Sequence, residues 1–256
     1  MALALLGGLT GLVCVVWGFF ERSKASSAGR LPRVEAGAAA AGGFGAVDGV
    51  IWAPGVDWRA PISQKPCVFF EVVSKTRDAR APIGRDTYGR ADGLDLLQLG
   101  LQAAVSSTTL ERSGGFFVKD ATGEVFVWPL VGTLSIEDSD DAASESDGFL
   151  VTKTERRLEA GRAVSAMGPF RPVDDVFAIL AGGSGQTLDP ALVTELKRRA
   201  GGAGCACLLG AKDGEIKVID RPLDEYVEGA GGSGNLLLSV GGLMILFAFI
   251  VAFGAR

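Results

Sequence analysis

Residues 236–255 read LLLSVGGLMILFAFIVAFGA, a run without a single charged side chain. A second uncharged run, ALALLGGLTGLVCVVWGFF, covers residues 2–20. A helix rises about 1.5 Å per residue, so each run is long enough to cross a hydrocarbon core of roughly 30 Å. The two runs therefore predict transmembrane helices that flank a water-soluble domain.

The first run has an alternative interpretation as a cleaved signal peptide. It is not preceded by the Lys or Arg of a signal peptide, and no small-residue cleavage site follows it. Instead, the charged residues Glu21, Arg22 and Lys24 come shortly after it. These features favour an uncleaved helix, so the sequence predicts a two-pass integral membrane protein.

Basic residues close to the two runs predict the side of the membrane on which the domain lies. Arg22, Lys24, Arg30 and Arg33 follow the first run, and Arg221 precedes the second. The positive-inside rule places such residues in the cytoplasm. The bulk domain is therefore expected on the cytoplasmic side.

The chain divides into segments of different composition. The predicted order is a transmembrane helix over 2–20, a flexible juxtamembrane spacer over 21–45, a folded domain over 46–228, a Gly-rich hinge over 229–234 and a second transmembrane helix over 235–255. Within the folded domain, β-branched and aromatic runs predict a β core over 46–171, and a change of pattern predicts an α/β extension over 172–228. The expected fold class is a β-rich α+β domain, barrel-like or sandwich-like, between two transmembrane helices.

The clearest local unit is a β-hairpin over residues 116–128, FFVKDATGEVFVW. Asp120 is placed to accept hydrogen bonds from the backbone that follows it, and Gly123 is expected at a turn position with positive φ. Residues 205–211 and 215–219 predict a last hairpin. Residues 137–147 carry six acids without the spacing of a calcium loop, so a solvated acidic loop is expected there.

Small residues are spaced along one face of each predicted membrane helix: Gly7, Gly11 and Gly18 in the first, and Gly241, Ala248 and Ala252 in the second. Small residues on one face let helix backbones approach closely in lipid. The pattern predicts that the helices pack on each other or on a neighbouring copy. The alternative is that these glycines have no packing role, since glycine is common in membrane helices.

The composition narrows the possible chemistry of this chain of 256 residues, which contains no histidine and has a net charge of −5. The lack of histidine removes the commonest general base and metal ligand, and the negative charge leaves no basic footprint for nucleic acid. Cys14 lies in an apolar run, and Cys67, Cys205 and Cys207 are expected to be buried, inert thiols. No catalytic, cofactor-binding or metal site is predicted.

Three segments of the folded domain together resemble a known family. Residues 58–72, WRAPISQKPCVFFEV, resemble the SP-x-x-x-x-PC-aromatic-aromatic segment of the GIDE proteins, with A-P here in place of S-P. Residues 116–127 are similar to the F-x-x-x-D-x-x-G-x-x-x-V hairpin of that family, and residues 156–168, RRLEAGRAVSAMG, are similar to its r-x-l-x-x-G-x-x-V-x-x-x-G ending. The positions that carry the resemblance are Pro61, Ser63, Pro66, Cys67, Asp120, Gly123, Gly161 and Gly168.

GIDE proteins are membrane-embedded E3 ubiquitin ligases of mitochondria and plastids, with prokaryotic relatives. The resemblance implies a β-rich "beside-a-membrane" (BAM) domain between two transmembrane helices. In the organellar ligases a zinc-binding RING follows the second helix. This sequence has no RING cysteines or histidines, so ligase activity is not expected to carry over. In the mitochondrial members the β domain faces the intermembrane space, opposite to the side that the charges predict here.

The expected function is that of a non-catalytic, membrane-anchored binding or scaffold protein. Its expected partners are the lipid bilayer and a protein partner or second copy bound through the transmembrane helices. One alternative is an accessory subunit of a larger membrane complex. Another is a membrane-bound enzyme that uses carboxylates or Cys67.

Overall fold

The computed structural model describes residues 2–78, 107–131, 133–136, 139–146, 149–182, 188–200, 205–210 and 216–254. Its helices are α1 (Ala2–Gly29), α2 (Asp174–Ala181), α3 (Pro190–Ala200) and α4 (Leu223–Gly254), with a short 3-10 helix at Ala36–Ala38. Its strands are β1 (Phe44–Trp52), β2 (Trp58–Arg59), β3 (Pro66–Cys67), β4 (Phe69–Asp78), β5 (Ser107–Gly114), β6 (Phe116–Lys119), β7 (Glu124–Trp128), β8 (Thr133–Ser135), β9 (Ser139–Ser146), β10 (Phe149–Leu158), β11 (Ala163–Pro172), β12 (Ala206–Leu209) and β13 (Lys217–Ile219).

Five of the strands close into a barrel. Their order is β1-β6-β7-β12-β11, and β11 pairs back onto β1. Neighbouring strands are antiparallel except β7 and β12, which are parallel. β13 pairs with β11, and β8 pairs with β13, so the sheet extends beyond the barrel. The predicted β-rich class is confirmed, and the barrel is the form observed. A five-stranded Greek-key barrel of this kind is of the OB type.

The barrel strands β6, β7 and β12 are buried on both faces. Alternate residues, such as Phe116, Val127 and Leu208, belong to the core that fills the barrel. The residues between them, such as Phe117 and Cys207, belong to a second core under α2 and α3. Because both faces are covered, these strands are apolar without alternation. Each large side chain buried in this way stabilises the fold by about 1.5–3 kcal/mol.

Helix α3 begins and ends where its sequence favours it. The Asp189 carboxylate accepts a hydrogen bond of 2.8 Å from the backbone N–H of Ala191, and Pro190 occupies the first helical position. This is the capping arrangement that starts a helix. Near the last turn, hydrogen bonds from Arg198 and then Arg199 lower the pKa of Glu195 to about 2.

A four-stranded antiparallel sheet, in the order β5-β4-β10-β9, adjoins the barrel. β10 leads into β11 through a turn at Gly161, which has a φ of +83°. The solvated acidic loop predicted for 137–147 is wrong for residues 139–146, which form β9 and pair with β10. β9 is an edge strand, where charged side chains remain in water and also discourage pairing with other chains. Acidic composition therefore did not exclude a strand.

The last predicted hairpin is also wrong. β12 and β13 do not pair with each other; both pair with β11. Each then takes a parallel partner that is distant in the sequence, β7 for β12 and β8 for β13. Residues 211–215, which contain the predicted turn, lie outside the described residues. In the closed barrel, β12 and β13 pair with β11, β7 and β8, and these pairings replace the predicted pairing of β12 with β13.

The two long helices extend further than the sequence predicts. α1 runs to Gly29, so the first part of the predicted spacer is helical, and α4 runs without a break through the predicted hinge at 229–234. Ala25 and Ala28 are buried, because α1 and α4 remain packed together beyond the apolar runs. After α1, the chain bonds to β1 through Val34 and Ala46. The first part of the predicted spacer and the whole of the predicted hinge are therefore helical.

In the described part of the chain, one helix is long and apolar enough to cross a membrane by length and composition. It is α4, over Leu223–Val251. The sequence predicts two such helices. The structure establishes the length and composition of one of them.

Candidate functional site

Helices α1 and α4 lie against each other with their backbones in contact. A β carbon built on Gly11 would lie 2.8 Å from the carbonyl oxygen of Gly241. A β carbon built on Gly18 would lie 2.9 Å from the carbonyl oxygen of Gly234. The contacts descend along α4 as they ascend along α1, so the helices are antiparallel. No side chain larger than glycine fits at these crossings without moving a backbone.

The other small residues singled out in the sequence can also be placed. A β carbon built on Gly7 would lie 3.9 Å from the β carbon of Ala248, an ordinary contact. Ala252 lies in α4, but its side chain is outside the described residues. Gly234, which the sequence placed in a hinge, is part of the contact. Five of the six predicted small residues therefore lie along the α1–α4 contact.

The outer sides of the helix pair are apolar and exposed. Trp17 and Phe20 of α1 are 59% and 62% exposed, and Leu243 and Phe247 of α4 are 66% and 69% exposed. A shallow groove of about 440 Å³ runs along α1 and reaches Lys24 at its polar end. Contiguous apolar surface of this kind is unfavourable in water and marks a contact with lipid or protein.

Asp48 of β1 joins the barrel to the start of α4. One of its carboxylate oxygens accepts a hydrogen bond of 3.2 Å from the backbone N–H of Leu223 and another from the Ser165 hydroxyl. The other oxygen accepts a 2.8 Å bond from Arg33, which also pairs with Asp224. A carboxylate at a helix N-terminus satisfies free N–H groups and complements the helix dipole.

An apolar cluster lies beside this polar contact and makes the joint rigid. It brings together the end of α1, strands β1, β11 and β13, and the start of α4, through the buried residues Ala28, Ala46, Met167, Ile219 and Leu223. At its edge the Lys217 ammonium lies 2.6 Å from the Tyr226 hydroxyl and 4.1 Å from the centre of its ring. The barrel and the first turns of α4 therefore form one packed unit.

A second polar centre lies under the segment that contains Pro61 and Pro66. Glu155 of β10 is fully buried. Its carboxylate accepts a 2.6 Å bond from the backbone N–H of Ile62, a 3.3 Å bond from that of Ser63, and a 2.5 Å bond from the Ser63 hydroxyl. The segment between β2 and β3 thus covers a buried carboxylate, and its donors satisfy the charge.

The soluble cysteines are poor nucleophiles. Burial, and then the charge of Glu155, raises the pKa of Cys67 to about 11. Burial likewise raises the pKa of Cys207 to about 12 and the pKa of Cys205 above its ordinary value. All three are free thiols. Because the thiolate is the reactive form, the buried Cys67 and Cys207 are almost wholly unreactive near neutral pH. Cys205 is half-buried rather than buried, so the expectation of a buried thiol is wrong at this position.

The turn of the β6–β7 hairpin holds the 3-10 helix. Asp120 accepts hydrogen bonds of 2.7 Å and 2.9 Å from the backbone N–H groups of Thr122 and Gly123, so its predicted turn bonding is observed. It also accepts one of 2.7 Å from Ala36. Burial alone would raise the pKa of Asp120, but these bonds, with that from the Thr122 hydroxyl, hold it below its ordinary value.

The sequence predicts a positive φ at Gly123, and this prediction is wrong, because Gly123 does not have a positive φ. A β carbon there would lie 2.6 Å from the α carbon of Gly37. Glycine is required at position 123 because the backbone of the hairpin turn approaches the backbone of the 3-10 helix closely at Gly37. Two other glycines of the family resemblance do have positive φ, Gly161 at +83° and Gly168 at +152°.

Replacing Gly123 with valine should lower the free energy of unfolding by about 1–3 kcal/mol, because the side chain would push the 3-10 helix off the hairpin. The measurement is the midpoint of chemical unfolding of the full chain. Ala121→Val is the matched control, since Ala121 is exposed in the same turn. Equal midpoints for the two variants would contradict the contact with Gly37.

Sequence reasoning missed Asp48 and Glu155. A signal was present for Asp48, which is the one charged residue of β1, but not for Glu155, since β10 also contains Lys153, Arg156 and Arg157. The side chains that would explain them come from residues far away in the chain. Among the described residues, no group of three or more Cys, Asp or Glu side chains is arranged to hold a metal ion. Comparison with protein-family models, with curated proteins and with solved structures finds no match to this chain.

Proposed function

We propose that this chain is a non-catalytic, membrane-anchored binding or scaffold protein of the GIDE type. The observation that carries the proposal is the α1–α4 pair, which is apolar on its outside and fixed to a barrel at one end. α4 contains 32 residues, or about 48 Å of helix at a rise of about 1.5 Å per residue. About 30 Å of this length would cross the hydrocarbon core, and the rest would hold the barrel away from it.

The proposed topology has two membrane passes. α1 is antiparallel to α4 and contacts it along the apolar runs, so a bilayer that surrounds α4 would also surround α1. Both ends of the chain would then lie on one side and the barrel on the other. The basic residues Arg22, Lys24, Arg30 and Arg33 favour the cytoplasm for the barrel.

The GIDE assignment rests on the three resembling segments, and each has a role in this fold. The segment with Pro61 and Cys67 covers the Glu155 carboxylate. The Asp120 turn holds the 3-10 helix, and Gly161 turns β10 into β11. These are structural roles, which fits a family in which a separate RING recruits the conjugating enzyme.

The enzymatic alternative has less support. The raised pKa of Cys67 keeps its thiol protonated, and the Glu155 carboxylate is occupied by three donors. The accessory-subunit alternative relied on small-residue faces as docking surfaces. In this fold Gly11, Gly18 and Gly241 face the other helix of the same chain. Nucleic acid is disfavoured because α2 and α3 cover the outer face of β6, β7 and β12, near the surface with which OB barrels bind it.

The proposal is tested by extraction of the full chain from membranes. An alkaline carbonate wash should leave it in the membrane fraction, and detergent should release it as particles of one or a few copies. Release by carbonate would contradict membrane anchoring. Recovery only in a large complex of fixed composition with other proteins would favour an accessory subunit instead.

The side of the membrane is tested by a single introduced cysteine. Ala41 is exposed between α1 and β1, so the thiol of Ala41→Cys should react with a membrane-impermeant maleimide only from the cytoplasmic side. The parent protein is the control for labelling of the native thiols, of which Cys67 and Cys207 are buried and Cys205 is half-buried. Labelling only from the opposite side would refute the orientation but would leave two membrane passes intact.

A further inference from the structure

Between the barrel and the apolar run, three glycines of α4 have no steric role in the observed fold. They are Gly229, Gly231 and Gly232. A β carbon built on any of them would meet no atom within 4 Å. None of them has a positive φ. The helical structure would accept alanine at all three positions, so it does not explain why glycine is there.

Glycine at these positions weakens the helix. Relative to alanine, a glycine in a helix interior disfavours the helical state by about fivefold, because more backbone freedom is lost on ordering. Three such residues within four positions act on a single helical turn. The effect of glycine here is therefore on the balance between helical and open conformations of this turn.

The helical structure of α1 is also weakened where it lies beside this turn of α4. The contacts Gly29–Val227 and Gly18–Gly234 bracket this part of the pair, so residues 23–27 of α1 lie level with residues 229–233 of α4. The Ser27 hydroxyl donates a 2.8 Å hydrogen bond to the carbonyl oxygen of Ser23. Bonds of this kind bend helices, and kinks occur where Gly and Ser cluster.

The segments on either side of this level are held firmly. On the barrel side, Asp48 bonds to the first turn of α4, and Lys217 bonds to Tyr226. On the other side, Gly18 and Gly234 bring the two backbones into contact. Bending is therefore concentrated in the few residues between two rigid units.

We propose that residues 229–233 of α4 and 23–27 of α1 form a paired hinge. Its helical turns open and close, and the barrel tilts as one unit relative to the apolar helix pair. This reconciles the Gly-rich composition, which predicts a hinge, with a backbone that is helical throughout. The inference concerns α1 and α4 themselves and does not require the proposed function to hold.

The test is amide hydrogen exchange of the full chain in lipid nanodiscs and, in parallel, in detergent micelles. Residues 229–233 should exchange at least about tenfold faster than residues 226–228, the first amides of α4 with a backbone carbonyl acceptor four positions earlier, because local opening of this turn requires little free energy. The triple variant Gly229→Ala, Gly231→Ala and Gly232→Ala should slow this exchange by about a hundredfold, the product of three fivefold effects.

Gly242→Ala is the matched control. A β carbon at Gly242 also meets nothing within 4 Å, and the residue lies in the same helix but outside the hinge. It should leave exchange at 229–233 unchanged. Equal rates for 226–228 and 229–233 in the parent protein, or an unchanged rate in the triple alanine variant, would overturn the hinge. A failure of membrane anchoring would not alter the result in micelles, so the two proposals fail separately.

Discussion

Leucine in place of Gly241 should drive α1 and α4 apart and destabilise the helix pair by about 1–3 kcal/mol, the usual cost of overpacking. A β carbon at this position would lie 2.6 Å from the carbonyl oxygen of Gly11 and 2.9 Å from the backbone nitrogen of Val15. Both are backbone atoms, which cannot turn aside as a side chain can. The separation should appear as a longer distance between spin labels on the two helices of the full chain in nanodiscs.

Gly242→Leu is the control for this experiment. It adds the same side chain one position further along α4, where a β carbon meets no atom within 4 Å. The label distance should stay at the parent value. If both leucine variants gave the parent distance, the close packing of α1 on α4 at Gly11 would be refuted.

Removal of the Glu155 carboxylate should be the most damaging single change within the folded domain. Glu155→Ala leaves the partly buried N–H groups of Ile62 and Ser63 without their acceptor, and it also removes charge-assisted hydrogen bonds. Together these losses should cost about 3 kcal/mol of unfolding free energy. The measurement is the denaturant midpoint of the full chain, followed by fluorescence.

Asp141→Ala is the control, because Asp141 is an exposed acid on the neighbouring strand β9. It should change the unfolding free energy by less than about 0.5 kcal/mol, as surface substitutions usually do. A loss for Glu155→Ala no larger than that of the control would show that Ile62 and Ser63 find other acceptors, and that the segment between β2 and β3 is not held by this carboxylate.

Local chemistry was predicted well, and long-range pairing was not. The turn bonding of Asp120 depends on residues within a few positions, so the sequence contains everything that determines it. Closure of the barrel depends on β11, which pairs with β1 from more than a hundred residues earlier. The residue pattern of β11 does not indicate that β1 is its partner. For the same reason β12 and β13 were expected to pair with each other.

The candidate site illustrates the same limit. An acid within a strand, such as Asp48 or Glu155, is visible in the sequence, but its meaning depends on the donors that surround it. For Asp48 these come from residues 33, 165 and 223. Gly123 shows a second limit, since two different physical requirements select the same residue. The sequence pointed to positive φ, whereas the actual requirement is space for Gly37.

The packing of α1 on α4 also limits the order in which the parts of this chain can fold during synthesis. The two helices are separated by about 190 residues, Gly29 to Leu223, and synthesis at about 5–20 residues per second places roughly 10–40 s between them. During that time α1, with its glycine face, has no intramolecular partner. β13 directly precedes α4, so the seven-stranded sheet is completed only just before the second helix emerges. Contacts this distant in sequence also fold slowly. Biogenesis, rather than final stability, is therefore the stage at which this architecture is most vulnerable.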